Sequence, residues 1–138
     1  MKGKINVLEE ERLNYLDVFN GDADGICALI QIRLNNPQQS TLITGVKRDI
    51  NLLKNIDGKS NTHITVLDIS FEKNANDVER ILKQGSTIKY IDHHRIGQNI
   101  SHPRLTVNIN LSPDTCTSLI VDKELKGKYR AWAITAAF

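Results

Sequence analysis

The chain has 138 residues, 40% of them hydrophobic and 25% charged, with a net charge of +2. That length and apolar content suit one domain with a real core. The small net charge does not by itself argue for nucleic acid, and no apolar run approaches the roughly 20 residues that span a bilayer. The first twelve residues, MKGKINVLEEER, lack the apolar centre of a signal peptide. Cys27 and Cys116 are far apart and have no metal-ligand spacing, so a cytoplasmic protein with reduced thiols is expected.

In chain order, YLDVF (15–19) is a short apolar run that predicts a strand and ends in a polar cluster. ICALIQIRL (26–34) has apolar residues at three- and four-residue intervals, the helical period, and NNP (35–37) ends it. TLITGV (41–46) and the β-branched HITVLDIS (63–70) read as strands. NANDVERILKQG (74–85) is an amphipathic helix with Gly85 at its stop. TIKYIDHH (87–94) and LTVNIN (105–110) are two further strands. SPDTCTSLIVDKELKG (112–127) predicts a helix with Ser112 as N-cap, Pro113 in the first turn and Asp114 complementing the dipole. YRAWAITAAF closes the chain as another helix, with Trp132 expected to pack in an interface. Short strands alternating with helices make the expected class α/β, a mostly parallel five-stranded sheet flanked by helices. His63 and His102 are read as structural or exposed.

The polar cluster in DVFNGDADGICAL (17–29) sets Asn20, Asp22 and Asp24 at alternate positions before Gly25. Crowded carboxylates repel one another, and a bound cation is the usual compensation. The spacing matches the first half of a calcium-binding EF-hand loop, but the twelfth position is Gln31, which cannot supply the bidentate carboxylate. The other reading is a ligand-binding rim at the carboxyl ends of parallel strands. On that reading three strands deliver cation ligands to one edge: Asp22 and Asp24 after the first, Asp68 at the end of HITVLD, and Asp92, His93 and His94 at the end of TIKYIDHH. Each alone has a plain interpretation as a turn former or a surface charge pair. The coincidence at three strand ends is what carries weight.

At NGDADG, VLDIS and DHH the sequence resembles the DHH phosphoesterase superfamily, whose members include RecJ-type exonucleases, nano-RNA phosphodiesterases, exopolyphosphatases and family II pyrophosphatases. The resemblance covers roughly residues 15 to 135 and implies a Rossmann-like DHH domain. It implies Asp22 and Asp24 as ligands of two divalent ions, Asp68 as the carboxylate bridging them, and His93 as a further ligand. Asp92 would be the partner of His93, and His94 a contact to substrate phosphate. The implied ions are Mn2+, with Mg2+ or Co2+ as substitutes, and carboxylates with one imidazole suit such cations.

The implied reaction is hydrolysis of a phosphoester, phosphodiester or phosphoanhydride by water activated between two ions. The substrate would be a phosphorylated small molecule, a dinucleotide or a short single-stranded nucleic acid. Family members usually carry His or Asp where this chain has Asn20, a neutral ligand at best. That departure keeps open a degenerate, non-catalytic metal- or nucleotide-binding regulatory module. The family also adds a separate C-terminal substrate-binding domain, so residues 1–138 are expected to be the N-terminal domain of a longer protein, and the apolar end of the chain raises the expectation of a homodimer. Lys47 and Arg48, in GVKRD, and Arg95, after the triplet, are candidates for substrate phosphate, with a solvated turn as the alternative for the first two.

Overall fold

The computed structural model describes residues 12–46 and 51–137. Five parallel strands form one sheet: β1 (Asn14–Asn20), β2 (Ser40–Gly45), β3 (Thr62–Leu67), β4 (Thr87–Asp92) and β5 (Leu105–Ile109), in the spatial order β2-β1-β3-β4-β5. Helix α1 (Ala23–Asn35) joins β1 to β2, α2 (Phe71–Gln84) joins β3 to β4, and α3 (Thr117–Glu124) and α4 (Arg130–Ala137) follow β5.

Strand alternation divides the core into two layers. Val18, Val66 and Tyr90 face one side of the sheet, where they pack with Phe71, Val78, Ile81 and Leu82 of α2. Their neighbours Phe19, Leu67 and Ile91 face the other side and pack with Ala28 and Leu29 of α1 and with Ile120 and Val121 of α3. The central strands are covered on both faces, which is why they read as nearly continuous apolar runs. The registers Val18↔Val66 and Val66↔Tyr90 set β1, β3 and β4 level with one another.

After β1 the chain moves outward to β2, then returns to build β3 on the opposite side of β1. The carboxyl ends of β1 and β3 therefore flank the point where the winding reverses, the place at which open α/β sheets leave a crevice for ligands.

The strands and helices agree with the sequence pattern to within a few residues, with one real displacement. The helix expected from Ser112 begins at Thr117 instead. Ser112 shapes a preceding turn, its Oγ accepting from the Asp114 N–H at 3.3 Å. Asp114 thus lies outside the helix and does not complement its dipole. The reason is tertiary: the carboxylate that caps the helix comes from Asp24, far away in sequence. At α2, by contrast, capping is local. The Ser70 Oγ accepts from the Lys73 N–H, and Gly85 closes the helix at φ +114°, a conformation that favours glycine.

A polar clasp lies toward the starts of β1 and β2. Asp17 is fully buried in β1 and receives both Nε (2.7 Å) and Nη2 (2.5 Å) of Arg33, from the last turn of α1. Ser40 donates its hydroxyl to the same carboxylate at 2.6 Å. Removing one partner of such a pair leaves an uncompensated buried charge. Arg33→Met is therefore expected to lower unfolding free energy by about 3–5 kcal/mol, measured by urea denaturation; a loss below about 1 kcal/mol would mean that Asp17 is satisfied without it.

Candidate metal centre

Three neighbouring strands place the predicted residues. Asn20 is the last residue of β1, and Asp22 is the N-cap of α1, its side chain accepting from the Gly25 N–H at 3.1 Å. A Cβ on Gly25 would lie 1.9 Å from the Asn20 carbonyl oxygen, so only glycine lets the chain fold back this tightly. Because α1 begins at Ala23, residues 20–31 do not form an EF-hand loop. Gln31 lies buried in α1 and donates to the carbonyl oxygens of Cys27 and Ser118.

Asp68 follows β3 directly and adopts φ +62°, a left-handed conformation uncommon for a residue with a Cβ. Its N–H is held by the Ile91 carbonyl at 3.0 Å. Strain of this kind persists where surrounding structure enforces it, often at functional sites. Asp92 ends β4, with His93 and His94 just beyond.

The side chains converge. His93 Nε2 lies 3.1 Å from Asp68 Oδ1 and 3.6 Å from Asp24 Oδ2. The Asn20 amide nitrogen donates to Asp22 Oδ2 at 3.2 Å and to Asp68 Oδ2 at 3.3 Å. His94 Nδ1 lies 2.6 Å from Asp92 Oδ1, so Asp92 holds His94 and not, as the resemblance implies, His93, whose ring turns to Asp68 and Asp24. Asp68, Asp92, His93 and His94 each offer a ligand atom within 4.8 Å of the others. The residues from the three strand ends thus form one constellation: Asn20, Asp22, Asp24, Asp68 and His93 in direct contact, with the Asp92–His94 pair alongside.

The electrostatics are those of crowded carboxylates. Burial, opposed by the hydrogen bond from His93 and reinforced by the charges of Asp24 and Asp22, pushes the Asp68 carboxyl up to about 6. The hydrogen bond to Asp68 raises His93, and the one to Asp92 raises His94, each against the effect of burial. Two polar atoms here are buried with no hydrogen-bond partner among the described residues: Asn20 Oδ1 and Asp92 Oδ2. A set of carboxylates and one imidazole, with an orphaned amide oxygen beside it, fits a divalent cation of the Mn2+ or Mg2+ type and not a thiolate-bound zinc.

The centre opens into a cavity of about 670 Å3. Val46, Leu52, Ile69 and Leu111 give it an apolar wall, while Arg95 and the first turn of α2 bring Ser70, Glu72 and Lys73 to its rim. Lys73 escaped the sequence reading, while the helix start SPDTCTS (112–118) suggests free N–H groups offered to an anion, and the Thr117 and Ser118 N–H groups do meet one, the Asp24 carboxylate. For Lys73 the available signal was its place five residues after Asp68, at a helix start. Which anion Thr117 and Ser118 meet carried no local signal, since Asp24 and Asp68 lie far away in sequence. Lys47 and Arg48 lie outside the described residues. Trp132 is 41% exposed on α4. Among the described residues no helix is long and apolar enough to cross a membrane.

No family model matches the chain, and no curated protein matches it. Fourteen chains of solved structures do. One is the crystal structure of exonuclease RecJ bound to manganese, which superposes with a TM-score of 0.50 at 15% identity over 97% of this chain. The match spans 40% of the RecJ chain. At that identity the likeness is one of fold: an α/β domain of the kind found in a manganese-bound exonuclease.

The pKa shifts fix a sign for stability without metal. A folded Asp68 near 6 binds more protons than an unfolded one near 3.8, so stability falls as pH rises between those values. The stability that His94 gains from its raised value is present below about 6.5 and is lost as pH rises past it. The chain in EDTA should therefore melt at lower temperature at pH 8 than at pH 5. Asp68→Asn should exceed the unaltered protein at pH 8 and match it near pH 4. Equal melting temperatures of the two proteins at pH 8 would contradict the crowding.

Proposed function

We propose that this chain is the metal-binding domain of a divalent-metal-dependent phosphoesterase, cutting a phosphoester, phosphodiester or phosphoanhydride, with nucleotides or short oligonucleotides as the favoured class. The observation that carries this reading is the meeting of Asp22, Asp24, Asp68 and His93 at the carboxyl ends of β1, β3 and β4, beside the Asp92–His94 pair. When bound, two divalent ions, Mn2+ before Mg2+ or Co2+, would neutralise phosphoryl oxygens and acidify an attacking water. Asp22, Asp24, Asp68 and His93 would hold them, with Asn20 as a neutral contributor.

The other residues have separate work. Asp92 is fully buried and engages His94 Nδ1, which orients the ring and leaves Nε2 for substrate. A protonated His94, favoured by Asp92, can bind a phosphoryl oxygen or give a proton to the leaving oxygen. Lys73 and Arg95 line the same cavity and supply positive charge for phosphate, Arg as a planar fork and Lys as a point charge. Lys47 and Arg48, which the sequence alone suggests, are further candidates for phosphate. The apolar wall formed by Val46, Leu52, Ile69 and Leu111 offers a surface for the organic part of a nucleotide. The fold likeness to a manganese-bound exonuclease supports the same class.

A second reading, a non-catalytic module that binds metal or nucleotide and regulates a partner, draws on Asn20. Its amide donates to Asp22 and Asp68 as a neutral group, which lowers the charge available for a second ion.

Hydrolysis of bis(p-nitrophenyl) phosphate and of a 5′-phosphorylated dinucleotide, with and without Mn2+, separates the two. The phosphoesterase reading expects Mn2+-dependent turnover. It expects His94→Ala to cut kcat by about 10²–10⁴-fold while Mn2+ binding persists. Mn2+ binding with no turnover of any phosphate ester would favour the regulatory module.

A further inference from the structure

The start of α3 grips two carboxylates of the metal centre at once. The Thr117 N–H donates to Asp24 Oδ2 at 3.1 Å, while its side-chain Oγ1 donates to Asp68 Oδ1 at 3.1 Å. Ser118 completes the hold, its N–H donating to Asp24 Oδ1 at 2.8 Å and its Oγ to the Asp24 main-chain oxygen at 2.7 Å. Both residues are fully buried.

The N-cap residue of α3, Cys116, makes no side-chain capping bond. Asp24 therefore does for α3 what a local Ser, Thr or Asp ordinarily does for its own helix. The main-chain contact from position 117 to Asp24 does not depend on the threonine side chain, but the contact to Asp68 requires its hydroxyl. Threonine is β-branched and stiff about χ1, and burial restricts it further, so its hydroxyl is held on Asp68. Each carboxylate oxygen has two lone-pair directions. The bonds from Thr117 and Ser118 leave acceptor capacity on both groups, and Asp24 and Asp68 both line the cavity.

We propose that Thr117 is a positioning residue of the metal centre, fixing Asp24 and Asp68 in one mutual orientation through its main-chain N–H and its hydroxyl. The assignment rests on the metal-centre reading above. It adds that α3, which itself contributes no ligand in that reading, sets the geometry of two ligands from different strand ends. Groups that orient metal ligands in this way typically change affinity by about 10–100-fold when removed.

The experiment is calorimetric titration of Mn2+ into the unaltered chain, Thr117→Val and Thr117→Ser. Valine is nearly isosteric and keeps the main-chain N–H; serine keeps the hydroxyl. Thr117→Val is expected to weaken Mn2+ binding by about 10–100-fold, and Thr117→Ser to recover most of the loss. Unchanged binding by Thr117→Val overturns the assignment. So does an equal loss in both variants, since packing and not the hydroxyl would then be responsible.

If Thr117→Val does not fold, amide exchange in the unaltered chain decides. The Thr117 and Ser118 amides should exchange no faster with Mg2+ than without it. Faster exchange would mean that Asp24 leaves the helix to bind the ion, which overturns the clamp. Failure of the unaltered chain to bind Mn2+ at all is a distinct result, because it removes the metal-centre reading and the role of Thr117 with it.

Discussion

Carboxylates from β1, β3 and β4 are brought to one rim and partly withdrawn from water, and their mutual repulsion is the constraint around which the rest of the structure is arranged. Asp68 is nearly buried at 3% exposure, and burial raises the free energy of its charged form. Its oxygens are met by His93, by Thr117 and by the amide of Asn20. Asp24 is met by two main-chain N–H groups at the start of α3. The fold supplies these donors because three parallel strands run level beside one another and because the winding reverses between β1 and β3. The apolar layer on the α1 face of the sheet also places α3 against α1, and that packing brings Thr117 to the carboxylates.

Much of this was legible in the sequence because the informative signals were local. Strand ends announced themselves as apolar runs halted by Asp or by Asp-His-His, and strand order along the chain then put the ligands on one edge. Gly85 marked the end of α2 by the conformation required there. The signals that failed were long-range. SPDT has the composition of a helix start, yet α3 starts later because its cap is supplied by Asp24, 93 residues away from Thr117. A local pattern cannot contain that bond. For the same reason nothing local shows that Thr117 links two strand ends. The left-handed backbone of Asp68 was equally hidden, since VLDIS reads as uninterrupted strand until tertiary contacts turn it.

The likeness to RecJ is one of backbone, and it leaves the chemistry to the residues. Where a charged ligand would strengthen the first strand end, this chain has Asn20, whose amide nitrogen ties Asp22 to Asp68 while its oxygen is left without a partner among the described residues. An amide can present either atom to its surroundings, donating to carboxylates in one orientation and accepting toward a cation in the other. Asn20 thus ties two carboxylates together while adding no charge of its own.

The central claim is that residues from three strand ends make one divalent-cation centre. It is tested most directly by calorimetric titration of Mn2+ into the unaltered chain and into Asp68→Asn, with Ca2+ as the comparison ion. Mn2+ should bind, and Asp68→Asn should abolish or greatly weaken that binding, because Asp68 joins the residues after β1 to those after β4. Binding of Ca2+ as tight as that of Mn2+, unchanged by Asp68→Asn, would contradict it: the loop from Asn20 to Asp24 would then be acting alone.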